Sequence, residues 1–284
     1  MSGIEVSLHS LHIYPIKSCA GIALDEGLLV ETGLDLDRAW MLVDAHNEFV
    51  SQRQLPRMAL VQPSLKHDAV VLRAPGMLAL HLSLDGVEGP VRVKVWNDSV
   101  AAFDMGALAA QWFSDFLGRK LRLVRFDPAQ RRLSDRHWTG AFEAENAFSD
   151  GFPLLVVSTA SLAELNQRLR ARGEPEVGMA RMRPNLVLDG LSAHDEDALD
   201  EIVFTTAANP VRLRLVKPCA RCTIPDIDPL TAQAGHAVGD VLAGYRADAR
   251  LQGAVTFGMN AVIVEGLEST LRPGMLGIAN YRFD

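Results

Sequence analysis

Leu78-Ala79-Leu80-His81-Leu82-Ser83-Leu84 alternates leucine with smaller or polar residues, and Asp85-Gly86 then supplies a turn. A few residues on, Val91-Arg92-Val93-Lys94-Val95 alternates again. Successive side chains of a strand point to opposite faces, so a period of two marks a strand, and these runs read as half-buried antiparallel sheet. The pattern extends in both directions. Upstream, Val6, Leu8, Leu11 and Ile13 recur at near-alternate spacing until Pro15. Residues 38–43 form another strand, and Asp44-Ala45-His46-Asn47 is a turn before Phe49 and Val50. Downstream, residues 106–117 predict a helix with Leu108, Trp112 and Phe116 on one face and Gly118 just past its end. A strand at 121–126 follows.

Residues 127–150 are polar and aperiodic, a length of loop expected to be functional or mobile. The domain boundary is set there, giving 1–126 and 127–284. Beyond it, Pro153-Leu154-Leu155-Val156-Val157 suits a buried strand, and Leu162, Leu165 and Leu169 make a helical stripe with Ser161 and Glu164 at capping-box spacing. Further strands are expected at 185–188, 211–216 and 261–265. Strands dominate, so the fold class is α+β and strand-rich, a β-barrel-like architecture with added helices rather than a doubly wound sheet.

The 284 residues carry a net charge of -7, which argues against a general binder of nucleic acid or anionic membrane. No segment offers the roughly 20 apolar residues of a membrane helix, and residues 1–13 lack the basic and apolar regions of a signal peptide. Three cysteines, Cys19, Cys219 and Cys222, cannot all pair, and a reducing cytoplasm is the expected location.

The sharpest local feature is Lys217-Pro218-Cys219-Ala220-Arg221-Cys222-Thr223-Ile224-Pro225. A strand delivers the chain to two cysteines, and the neighbouring Lys217 and Arg221 favour thiolate. The pair is open to several readings. Structural zinc wants four ligands, yet His9 and His12 sit three apart on a strand and are expected on opposite faces. A thioredoxin-like dithiol lacks its βαβ surroundings. One thiolate could instead bind a soft metal whose other ligands come from a cofactor, or both cysteines could be inert.

Cations at strand ends form a second set: Lys17-Ser18 after Tyr14-Pro15-Ile16, Arg38 after Asp35-Leu36-Asp37, and Arg183 in Arg181-Met182-Arg183-Pro184-Asn185. Such groups can converge on an anion, or each can be a solvated surface charge. Ser149-Asp150-Gly151-Phe152-Pro153 is a turn that lets backbone approach a ligand, or simply a turn. The hydroxyls of residues 158–161 cap a helix or hold an anion at its N-terminus. Phosphate loops, dinucleotide fingerprints and iron–sulfur cysteine spacings are missing, so no flavin, NAD or iron–sulfur site is expected.

In order along the chain, Tyr14-Pro15-Ile16-Lys17-Ser18-Cys19, Asp37-Arg38-Ala39-Trp40, Ser51-Gln52-Arg53-Gln54-Leu55-Pro56-Arg57, Ser149-Asp150-Gly151-Phe152-Pro153, Arg183-Pro184-Asn185, Cys219-Ala220-Arg221-Cys222, Asp228-Pro229 and Phe257-Gly258-Met259-Asn260 resemble the MOSC family. The likeness is to its two-part members related to the mitochondrial amidoxime-reducing component. The resemblance implies a MOSC-type β-barrel domain packed on an N-terminal β-barrel-like domain, and a molybdenum–molybdopterin cofactor. It makes Cys222 the catalytic residue and metal ligand, with Cys219 dispensable. Lys17, Ser18, Arg38, Asp150, Gly151, Arg183, Asn185, Ala220 and Arg221 align with positions that contact the cofactor. Ala220 stands where some relatives have serine, so only backbone contact is expected there. The implied activity is reduction of N-hydroxylated small molecules such as amidoximes. Electrons are expected from a separate ferredoxin- or cytochrome-type carrier with its reductase, since the sequence ends at Asp284 without a ferredoxin domain. A cofactor- or sulfur-handling protein is the alternative.

Overall fold

The computed structural model describes residues 3–206 and 209–282. Met1, part of the stretch read as free of a signal, and Asp284 lie outside the described residues. Seven strands close a barrel in the order Leu154–Ser158, Leu186–Asp189, Ile4–Ile13, Leu276–Tyr281, Leu199–Phe204, Val211–Ala220 and Ala254–Glu265, the last pairing back onto the first. Only Leu154–Ser158 and Leu186–Asp189 run parallel, and the helix Thr159–Ala171 supplies the crossover that a parallel pair needs. Closure leaves no free edge, and the inward side chains, among them Leu8, Leu11, Phe204 and Leu213, fill the interior.

The uneven spacing of Val6, Leu8, Leu11 and Ile13 has a structural cause. The register against Leu186–Asp189 shifts between Leu8 and Ser10, and this bulge brings both Leu8 and Leu11 inward. It also turns His9 and His12, expected on opposite faces, both away from the core. At the closing seam Gly258 has φ +77°, and a Cβ there would lie 2.7 Å from the Val156 carbonyl oxygen. Only glycine fits that approach.

The strands of residues 40–126 form two sheets. One runs Trp40–Val43, Arg122–Phe126, Asp98–Asp104, Gly89–Val95, and the other Gln62–Leu65, Ala69–Arg73, Leu80–Ser83. The helix Ala107–Leu117 shares a core with them built on Trp40, Leu72, Phe113 and Phe116. The chain is therefore α+β and strand-rich, as its alternation implied. Two leucines depart from expectation. Leu78 precedes the strand and is 89% exposed, its carbonyl taking the Trp112 indole N–H. Leu108 is 73% exposed, because a row of every fourth residue drifts around a helix and the buried stripe runs through Ala109, Trp112, Phe113 and Phe116.

Pairing crosses the boundary expected at 126/127. In space Ile4–Ile13 belongs to the barrel, and Gly27–Val30 pairs with Thr270–Leu271. Residues 127–150 are packed rather than loose. Asn146 and Phe148 are buried, and the short helix Arg136–Thr139 interrupts the stretch. The Thr159–Ala171 helix begins one turn earlier than the capping-box spacing suggested, with Ser158 accepting from the Ser161 amide. Its N-terminus is filled from within: the buried Glu196 carboxylate accepts from Ser158 N, Ser158 Oγ and Ser161 Oγ. An external anion therefore has no place there.

Candidate functional site

Where the barrel meets the N-terminal sheets, an open cavity of about 860 Å³, its solvent-filled mouth included, is lined by Lys17, Ser18, Arg38, Asp150, Gly151, Arg183, Asn185, Ala220, Arg221 and Cys222. All ten residues singled out from the sequence thus face one space. Backbone bonds bring them there, one of them across the 126/127 boundary. Lys17 N donates to the Trp40 carbonyl (2.8 Å), Arg38 N to that of Tyr14 (3.0 Å), and Phe148 N to that of Arg38 (3.0 Å). Three of the ten hold left-handed backbone, Ser18 (φ 68°), Arg38 (φ 50°) and Arg183 (φ 57°). Non-glycine residues in that region cost about 1–3 kcal/mol each and gather at functional sites.

The cavity has a deep end and an open end. Lys17 is buried, and its ammonium donates to the Phe148 carbonyl (2.8 Å) and to Asp150 Oδ1 (2.5 Å). Arg38 pairs with the buried Asp37 carboxylate and donates to Asn185 Oδ1 (3.1 Å) and the Arg183 carbonyl (3.2 Å). Asn185 is nearly consumed by the protein, since Oδ1 also accepts from Leu155 N and Nδ2 donates to the His12 carbonyl. It holds Arg38 in place. Arg183 donates to the Cys19 carbonyl (2.7 Å), and both it and Arg38 lie over the Tyr14 ring, at 4.2 and 4.4 Å. At the open end stand Ala220, Cys222 and Arg53, all exposed. A Cβ added to Gly151 would meet no atom within 4 Å.

Charge in the cavity is unbalanced. Lys17 and Arg38 have carboxylate partners, whereas among the described residues no carboxylate lies within ion-pair distance of Arg53, Arg183 or Arg221. Burial pulls the Arg183 guanidinium down to about 10, with Tyr14 opposing and Arg38 reinforcing the shift. Burial also lowers Lys17, against the pull of Asp150. For Asp150, burial acts upward, but the Lys17 ammonium and the hydrogen bonds from Lys17 and Trp96 together hold the carboxyl well below its ordinary range. The buried Cys19 thiol is pushed up to about 12, so it stays protonated at neutral pH.

The cysteine pair sits otherwise than its neighbours suggested. Cys219 is still on the strand, and Arg221 Nη1 reaches its sulfur at 3.2 Å. Arg221 Nη2 donates to the Met182 carbonyl, while its Nε is buried without a partner. The Lys217 ammonium lies over the rings of Trp138 (5.3 Å) and Phe152 (5.7 Å). All three cysteines are free. No group of three or more His, Cys, Asp or Glu side chains able to hold a metal occurs among the described residues. Any metal at Cys222 must bring most of its ligands.

Several contributors escaped the sequence reading. Arg132 is buried and donates to the carbonyls of Ala147 (3.0 Å) and Ser149 (2.7 Å) and to Asp98 (2.8 Å), so it shapes the turn that presents Asp150. Trp96 donates its indole N–H to Asp150 Oδ1 (3.1 Å). Arg53 and Asn260 line the cavity from stretches noted only as parts of longer motifs.

A closed seven-stranded barrel with a free thiol beside a cationic cavity at its junction with N-terminal sheets defines the class of protein. Residues 5–120 match the MOSC N-terminal beta barrel domain and residues 143–275 the MOSC domain, and the chain belongs to this family. It is similar to mitochondrial amidoxime-reducing component 1 of Mus musculus, 34% identical over 230 residues, covering 78% of this chain and 65% of the relative. With mitochondrial amidoxime reducing component 2 of Bos taurus it shares 32% over 234 residues, 79% and 67% of the two chains. With molybdenum cofactor sulfurase of Homo sapiens it shares 29% over 267 residues, 88% of this chain but 29% of the relative. The chain thus spans about two thirds of the amidoxime-reducing relatives. No described helix is long and apolar enough to cross a membrane.

Proposed function

We propose that the chain holds a molybdenum–pterin cofactor in this cavity through Cys222 and reduces N-hydroxylated compounds with electrons from a separate carrier. The observation that carries the reading is the charge layout: an exposed thiol at the open end, and deeper in the same cavity Arg183 and Arg221, which among the described residues have no carboxylate partner, beside the paired Lys17 and Arg38. A buried unpaired charge is costly unless a ligand compensates it, and a phosphorylated dithiolene carries the required negative charge. The partnerless Arg221 Nε fits the same group, as does a single soft sulfur where no other metal ligands gather.

When bound, such a cofactor supplies a two-electron centre that can accept oxygen from an N–O bond. The chain's residues do the rest. Lys17, Ser18, Arg38 and Arg183 hold the phosphate end, with Asn185 fixing Arg38. Asp150 offers an acceptor and Gly151 an open backbone toward the ring system. Ala220 and Arg221 flank the thiolate. Exposure of Cys222 sets the metal near the surface, where a substrate and a ferredoxin- or cytochrome-type carrier can each approach.

A second reading, a cofactor- or sulfur-handling protein, is favoured by the likeness to the sulfurase along 88% of this chain. One preparation separates them. Protein purified from a cofactor-competent host is assayed for molybdenum, for pterin, and for turnover of an aryl amidoxime with an artificial reductant. We expect near-stoichiometric metal and pterin with turnover. Loading without turnover supports the handling reading, and protein free of both overturns the proposal.

A further inference from the structure

Arg53 stands apart from the other cations of the cavity. Lys17, Arg38 and Arg183 lie deep, whereas Arg53 is exposed, as are Cys222 and Ala220, and lines the same cavity as they do. Its guanidinium lies over the Trp96 ring at 4.8 Å, its Nε donates to Ser51 Oγ (3.3 Å), and no carboxylate is within ion-pair distance among the described residues. Trp96 is itself unusual. It occupies the tight turn between Gly89–Val95 and Asp98–Asp104 with left-handed backbone (φ 55°), which disfavours bulky side chains. Yet the ring is pinned: its N–H bonds Asp150, and Phe49 packs edge-on at 4.9 Å. Nearly half of Trp96, 46%, remains exposed.

From this arrangement we infer that Arg53 and Trp96 form an outer subsite that takes substrates bearing a carboxylate on a planar conjugated group. The inference rests on the proposed reading, which sets the reacting centre at Cys222. Arg53 lines the same open cavity as Cys222, and Trp96 is held beside it by the guanidinium and by Asp150. A fixed indole offers a flat apolar wall to a conjugated ring. A guanidinium stacked on that wall keeps its outer N–H edge free, in the geometry that pairs with a carboxylate. Lys17, Arg38 and Arg183 answer to the cofactor's phosphate and Arg221 is bonded to Cys219 Sγ and the Met182 carbonyl, which leaves the exposed Arg53 for the substrate.

The test is a pair of neutral-headed ligands, benzamidoxime and 4-carboxybenzamidoxime, titrated calorimetrically into the purified protein without reductant and then assayed for turnover with it. We expect the carboxylated compound to bind about tenfold more tightly, as a charge-assisted hydrogen bond allows. Arg53→Gln should bring the ratio to about one, Arg53→Lys should restore part of it, and Trp96→Leu should weaken both ligands while keeping the ratio. Equal affinities in the unmodified protein, or a ratio that survives Arg53→Gln, overturn the subsite. Absence of turnover with an intact, Arg53-dependent ratio would count against the reductase reading alone.

Discussion

Arg183→Met separates what the site costs the fold from what it does for a ligand. In the folded chain burial pulls the guanidinium from its ordinary value down to about 10. The unfolded chain therefore holds the proton more firmly, and at neutral pH the buried charge costs roughly 3 kcal/mol at about 1.4 kcal/mol per unit. Methionine keeps the length of the stem and removes the charge. Lost with it are the bond to the Cys19 carbonyl, worth about 1 kcal/mol, and the stacking on Tyr14, about another 1 kcal/mol. The balance predicts a ligand-free protein about 1 kcal/mol more stable, a rise of roughly 2–4 °C in Tm. Affinity for inorganic pyrophosphate, a probe of the deep cations, should meanwhile fall at least tenfold, as removal of a charged hydrogen-bond donor implies. Thermal unfolding of ligand-free protein and calorimetric titration read the two effects. A variant that melts several degrees lower would mean that Arg183 is structural, and the argument from uncompensated charge would fail.

The remaining predictions are simpler. Cys222→Ala should abolish molybdenum retention at unchanged Tm, because the thiol is exposed, while Cys219→Ala should retain metal; equal metal content in the two variants would refute the ligand assignment. Gly258→Ala should destabilise by about 2–4 kcal/mol, since its Cβ would press on the Val156 carbonyl at φ +77°; denaturant unfolding with unchanged m checks this. His194 is pulled to about 4, chiefly by burial, so it folds neutral. Its contribution is whole above pH 6.5 and is lost as pH falls toward 4, at most about 3 kcal/mol, and His194→Gln should flatten the stability–pH curve over that window.

Strand alternation and the terminal residues of strands were legible because each reports a local rule. The period of two exposed the antiparallel sheets, and cations at strand ends marked the groups that meet in the cavity. What escaped depends on partners distant in sequence. Nothing near Arg132 says that its guanidinium will gather the carbonyls of residues 147 and 149, and a tryptophan in a tight turn gives no local sign that Asp150 awaits it. The bulge at residue 9 shows the converse: the spacing 6, 8, 11, 13 already encoded it, but only pairing with Leu186–Asp189 gives the break a meaning.

The placement of the cavity explains why its cations tolerate one another. Lys17 follows the first barrel strand, Arg38 precedes an N-terminal strand, and Arg183 precedes a strand of the barrel. The carbonyls that restrain them come from the other side of the 126/127 boundary: Lys17 holds Phe148, Arg38 holds Arg183, and Arg183 holds Cys19. Like charges are thus held together by contacts across the junction, and the barrel and sheet cores, not the site, must supply the stability that holds it together. It follows that an anion bound by all three cations should stiffen the junction between the halves. Amide exchange of residues 14–19 and 183–185 should slow on pyrophosphate binding, while the far sheet at residues 62–83 exchanges as before; uniform slowing would place the coupling in global stability instead.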